Sequence, residues 1–181
     1  MKKIILTALV AASSLCANAQ LWLGGSVGFK SVSPKVGDSN TTFTIAPTIG
    51  YSLDENWDIA LEIGYSNYGD GDYTTPANNL GTYKDAFRIA PFARYSFAKC
   101  GIATFFIDGG FGFGKVNYQG GADTQTFNIG VRPGVKVELS PKVDLDAKLG
   151  YLGYYNEKDA ADIIGLAATS EALSFGLTVK F

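Results

Sequence analysis

The sequence contains no histidine, and that absence removes much ordinary enzyme chemistry. Histidine is the commonest general base, so Ser–His and Cys–His nucleophile pairs and imidazole metal sites are excluded. Cysteine is scarce, with only Cys16 and Cys100. Cys16 falls within an expected leader, and a lone mature cysteine cannot close an intramolecular disulfide. Cys100, next to Gly101, reads as a turn residue. No apolar run after the leader approaches the roughly 18 residues of a membrane helix, whereas a membrane β-strand needs only about 9–11 amphipathic residues. There is also no basic run. With 15 basic and 17 acidic residues the net charge is −2, which speaks against nucleic-acid binding.

What is present is glycine, 22 of 181 residues, and aromatic side chains at 13%. The N-terminus has the pattern of a secretory signal. Lys2 and Lys3 precede a short apolar core from Ile4, and Ala17-Asn18-Ala19 fits small-x-small cleavage. The expected division is residues 1–19 as signal peptide and residues 20–181 as one domain. Cleavage leaves 13 basic residues (15 − 2) against 17 acidic, a charge of −4. Leu15 before Cys16 is too large for the lipoprotein alternative.

The last stretch alternates without error. Leu173, Phe175, Leu177, Val179 and Phe181 share one side, and Ser174, Gly176, Thr178 and Lys180 the other, since strand side chains have a period of two. Seven earlier segments repeat the pattern: Leu21–Lys30, Thr41–Leu53, Trp57–Ser66, Phe87–Phe97, Ala103–Gly114, Phe127–Leu139 and Val143–Tyr151. Short connections, Asp54–Asn56, Ala98–Gly101 and Ser140–Lys142, alternate with longer ones. That is the build of an outer-membrane barrel, short turns at one end and long loops at the other. The predicted fold is all-β, an eight-stranded antiparallel up-and-down transmembrane β-barrel.

Alternation alone also fits a soluble barrel with its apolar face inward. The polar face decides between them, because it is rich in Gly, Ala, Ser and Thr, as a narrow eight-stranded lumen requires. The apolar parity carries no charge between turns, and a Lys or Arg in mid-bilayer costs about 2–4 kcal/mol. Trp57, Tyr95, Phe97 and Phe181 would form one interfacial girdle, and Phe29, Phe43, Tyr65, Phe87, Phe127 and Tyr151 the other. Pro47, Pro91 and Pro133 on the apolar face are awkward within a sheet; a bulge is one explanation.

This pattern, with the signal sequence and the terminal strand ending in Phe181, resembles the small eight-stranded OmpA/OmpX-type outer-membrane β-barrels, a porin-like family. The resemblance implies residence in a bacterial outer membrane, in contact with its lipid. It also implies that the strand ending at Phe181 is the signal read by the barrel-assembly machinery.

The predicted inward charges are Asp58, Glu62, Arg88, Arg94, Asp108, Arg132, Lys136, Glu138, Asp144, Asp146, Lys148 and Lys180, six acids and six bases. Ionisable groups inside a membrane protein face the lumen and pair. They read as a structural network that plugs the barrel, with a pore lining as the alternative. The spacing of Asp144 and Asp146 follows from strand period rather than from acid–base chemistry. Gly109-Gly110-Phe111-Gly112-Phe113-Gly114 lies within a strand and is not a phosphate loop. Asp70 and Asp72 lie in a loop that lacks the rest of a calcium site. No catalytic, cofactor or metal residue is expected. The expected protein is a monomeric, non-enzymatic structural or surface-interaction barrel whose long loops meet an extracellular ligand; a small diffusion channel is the second reading. The apolar stretch Asp162-Ile163-Ile164-Gly165-Leu166 is expected to pack on the barrel mouth or extend a strand, with contact to a partner as the alternative.

Overall fold

The computed structural model describes residues 21–32, 40–69, 83–121, 123–158, 161–167 and 173–181. The expected signal peptide and the Asp70/Asp72 loop lie outside them. Among the described residues there are ten strand segments and no helix: β1 Leu21–Val32, β2 Asn40–Ser52, β3 Trp57–Asn67, β4 Tyr83–Cys100, β5 Ala103–Tyr118, β6 Asp123–Ser140, β7 Val143–Leu149, β8 Tyr151–Glu157, β9 Ala161–Ala167 and β10 Leu173–Lys180. From β1 to β7 consecutive strands pair antiparallel, and β10 returns to β1, with Trp22 opposite Lys180 and Ser26 opposite Gly176. The Phe181 N–H donates to the Leu21 carbonyl at 3.1 Å at the foot of this seam. β7 and β8 together form the seventh strand, since both pair with β6. β9 pairs with β8 as β10 pairs with β7, so the last strand is likewise divided. The result is a closed barrel of eight antiparallel strands.

The register explains the division of the seventh strand. Gly134 faces Lys148, but Val131 faces Leu152, so the seventh strand gains one residue over β6. The extra residue falls at Gly150, whose φ is 71°. A glycine in the left-handed region beside one extra residue is a β-bulge. Side-chain parity reverses across it. Leu149 and Leu152 both face outward, 52% and 50% exposed, while Tyr151 turns into the lumen beside Arg132. The sequence reading placed Tyr151 in the outer girdle; the bulge, which strict alternation cannot foresee, moves it inside. Pro133 lies opposite this bulge. Pro47 and Pro91 leave gaps in one ladder each without a register shift, because proline has no N–H to donate.

Burial is inverted relative to a soluble protein. Ile45, Ile49, Phe87, Ile129, Phe175 and Leu177 are exposed on the outer wall, while Asp58, Glu62, Arg94, Asp108, Asp144 and Asp146 are buried inside. This is the arrangement for a barrel whose outer solvent is lipid. The short turns are locally satisfied. The Asp54 carboxylate accepts from the Asn56 and Trp57 N–H groups at 2.8 and 2.9 Å, and Gly101 adopts a φ of 59°.

The strands differ in height. β4, β5 and β6 have 18, 16 and 18 residues, against 12, 13 and 11 in β1, β2 and β3. A tilted barrel strand rises about 2.5 Å per residue along the axis, so an apolar band about 25 Å tall takes about 10 residues. The tops of β4–β6 therefore stand above the membrane on one side. The segments read from the sequence stop lower, at Phe87, Gly114 and Phe127. The apolar stretch Asp162–Leu166 lies in β9, which extends the last strand, one of the two placements expected for it.

Candidate functional site: the occupied lumen

The narrow lumen is filled by a layer of aromatic rings and charges. Trp22, Phe92 and Phe106 all lie on the inward parity, and Trp22 and Phe106 are buried. Each sits directly across from a glycine in the neighbouring strand: Trp22 opposite Gly50, Phe92 opposite Gly110 and Phe106 opposite Gly134. A Cβ at Gly50 or Gly134 would overlap the Trp22 or Phe106 ring, and one at Gly110 would meet Phe92. The glycines create the space that the rings occupy.

Arg94 is at the centre of this layer, 2% exposed. Its guanidinium donates to both carboxylate oxygens of Asp108, at 2.7 and 3.0 Å, and reaches Asp146 at 3.4 Å. It also lies 3.7 Å from the centroid of Phe106. A bidentate carboxylate pair and an aromatic face are what a planar guanidinium satisfies and an ammonium does not. Lys148 bridges Asp108 at 3.2 Å and Glu62 at 3.6 Å. Glu62 also accepts from Arg88. Lower down, Lys180 pairs with Asp144 at 3.0 Å, the Thr178 hydroxyl donates to Asp146 at 2.8 Å, and the Ser52 hydroxyl donates to Asp58 at 2.5 Å. These contacts join β3, β4, β5, β7 and β10 across the lumen. Asp144 Oδ2 and Asp146 Oδ1 are buried with no hydrogen-bond partner.

A second layer caps the upper end. Glu157, 3% exposed, accepts from the hydroxyls of Tyr118 and, at 3.1 Å, Tyr83. Tyr68, Tyr83 and Tyr118 follow one another with ring centroids 5.3 Å apart. Burial, and then the Glu157 carboxylate, hold the Tyr83 phenol above its ordinary range.

Every predicted luminal charge points inward, but they do not form one network. Asp58, Glu62, Arg88, Arg94, Asp108, Asp144, Asp146, Lys148 and Lys180 are brought into hydrogen bonds or ion pairs. Lys136 and Glu138 instead line a vestibule at the short-turn end with Asp144 and Lys180. Arg132 faces a cavity above the aromatic layer. The sequence reading missed the rings of the lower layer and the Tyr–Glu157 cap. The signal was present: a large aromatic residue on the small-residue parity, matched by a glycine on the adjoining strand. Among the described residues no group of His, Cys, Asp and Glu has the arrangement of a metal site.

With this geometry established, comparison with known proteins gives the family. The model of the outer membrane protein beta-barrel domain matches residues 4–181. The chain belongs to this family. The barrel is accordingly a bacterial outer-membrane protein. Among solved structures, the barrel is similar to neisserial surface protein A, with a TM-score of 0.58 at 20% identity over 89% of this chain and 97% of that one. It is also aligned with Ail of Yersinia pestis, at 12% identity over 90% and 99% of the two chains and a TM-score of 0.45. The first likeness is one of fold. No curated protein matches the sequence.

Proposed function

We propose that this is a non-conducting, non-enzymatic barrel that anchors a raised outer rim in the membrane and presents it to the exterior. The observation that carries this reading is the filled lumen. The Arg94–Asp108–Phe106 layer lies beneath the Tyr83–Tyr118–Glu157 cap, and the first is tied across the barrel by charge-assisted bonds. Opening such a lumen requires breaking buried ion pairs, each costing several kcal/mol when one partner is left alone. The tall tops of β4–β6 place side chains beyond the membrane, where an extracellular ligand can meet them. The lack of histidine supports a non-enzymatic role. The name of neisserial surface protein A is consistent with exposure at the cell surface. Contact with the assembly machinery through the strand ending at Phe181 belongs to the same proposal, as does a monomeric state.

Two measurements test it. Proteoliposomes carrying the folded barrel should swell in small sugars no faster than empty ones. In intact cells, a membrane-impermeant maleimide should label a Gln119→Cys variant at the outer β5–β6 turn and leave the parent protein, with Cys100 at a periplasmic turn, unlabelled. Fast swelling refutes the closed lumen, and labelling of Cys100 alone refutes the display of this rim.

A further inference from the structure

We propose that Arg132 holds a small oxyanion, of the carboxylate class, inside the lumen. Arg132 lies on β6 directly opposite Asp108 on β5, the neighbour expected to pair with it. Asp108 is already engaged. Its Oδ1 takes Arg94 Nε at 2.7 Å, and its Oδ2 takes Arg94 Nη2 at 3.0 Å and Lys148 at 3.2 Å. Glu62, the other carboxylate facing this cavity, is divided between Arg88 and Lys148. Arg88, Arg94 and Lys148 thus each have a carboxylate. Arg132 has no ion pair and no hydrogen bond to any described residue, and its guanidinium lies 5.6 Å from the Tyr151 ring centroid.

The physical difficulty is plain. A guanidinium has five N–H donors, no acceptor, and cannot shed its proton. Glu62 and Asp108 line the same cavity but do not touch the Arg132 guanidinium, and a guanidinium held at membrane depth with no anion in contact is costly. Its donors face a cavity lined by Glu62, Phe92, Asp108, Asn128, Lys148 and Tyr151. A guanidinium fork matches two oxygens in one plane, and the Asn128 amide supplies a further donor. The Tyr151 hydroxyl is committed to the Tyr154 carbonyl at 3.2 Å, so the ring serves as a floor rather than as a donor. The bulge at Gly150 is what turns that ring inward, so a local departure from strict alternation builds this wall of the site. A luminal anion does not require the barrel to conduct.

Formate is the probe. The barrel, folded in detergent, is titrated with sodium formate at constant ionic strength made up with sodium methanesulfonate, and the midpoint of thermal unfolding is read by heat-modifiable gel migration. The expected result is a saturable rise of roughly 5 °C, absent in Arg132→Gln and weakened in Arg132→Lys. No saturable rise in the parent protein overturns the proposal, as does an equal rise in Arg132→Gln. Should Arg132→Gln fail to fold, 13C-formate line width decides with the parent protein alone. Broadening that excess unlabelled formate reverses supports the site, and an unchanged line overturns it.

Discussion

Arg94 is the residue on which the lumen depends. It combines near-complete burial, a bidentate bond to Asp108 and a ring face on Phe106. Arg94→Ala leaves Asp108 facing the lumen with Lys148 alone, and the expected cost is about 3–5 kcal/mol. Val131→Ala on the lipid face should cost less, about 1 kcal/mol. Denaturant unfolding of both variants in lipid vesicles gives the comparison; equal midpoints would contradict the network. Six acids and six bases were legible in the sequence as an inward set, because parity assigns a face. Which of them pair was not legible. Arg94 and Arg132 have the same chemistry and the same parity, and only the register and bulge separate a buried hub from an unpaired cation.

A single glycine can carry comparable weight. Gly50→Ala places a Cβ against the Trp22 ring, and overpacking of this kind costs roughly 1–3 kcal/mol. Combining it with Trp22→Leu should recover part of the loss, and additive losses in the double variant would show that ring and glycine are not complementary. Outside the membrane, the Asp162 carboxylate accepts from Asn156 Nδ2 at 2.6 Å and Tyr154 Oη at 2.7 Å. The Asn156 and then the Tyr154 bond lower its pKa from the ordinary 3.8. A depressed folded value contributes stability that is present above about pH 4 and lost as pH falls through that value. Asn156→Ala should move the Asp162 titration upward toward 3.8, measured by carboxyl NMR; an unmoved titration would assign the shift to another group.

At the scale of elements, the seventh strand departs most from the sequence pattern. Val143 to Leu149 alternates faithfully, and from Tyr151 onward the parity is reversed by the bulge at Gly150. A glycine in an alternating run is compatible with either an unbroken strand or a bulge, so the sequence alone could not choose. Gly150→Val places a β-branched residue at a φ of 71°, at a strain of about 1–2 kcal/mol. The expected outcome is loss of the bulge or of stability, seen as a lowered unfolding midpoint and altered near-ultraviolet circular dichroism from Tyr151. An unchanged midpoint and spectrum would show the bulge to be indifferent to its glycine. Elsewhere the elements followed the sequence closely near the short turns, apart from register shifts at Ser96/Ala98 and Glu138/Ser140, and less so near the long ones. Period-two alternation is enforced by lipid, and above the membrane that constraint lapses. Outward positions there include Lys115 and Asp123, an exposed ion pair, so the upper limits of β4–β6 were not marked by hydrophobicity.

At the scale of the whole molecule, the barrel solves two problems with one side-chain alternation. The outer parity dissolves in lipid, and the inner parity fills the lumen. An eight-stranded barrel is just wide enough for side chains to fill. Here rings opposite glycines and a cross-strand charge layer do so, and a tyrosine cap lies above them. Closure and membrane residence were legible in the sequence. Closure follows from an even number of alternating segments, and residence from the absence of charge on the apolar face. The state of the lumen was not legible, since a plug and a selectivity lining use the same charged residues and differ only in whether they touch.

Single-channel recording of the folded barrel in a planar bilayer tests that distinction most directly. The predicted result is a silent membrane, although heat-modifiable migration shows the protein to be folded, with discrete conductance appearing in a Trp22→Ala/Arg94→Ala variant that still folds. Steady openings in the parent protein would contradict the filled lumen and make the inward charges a pore lining.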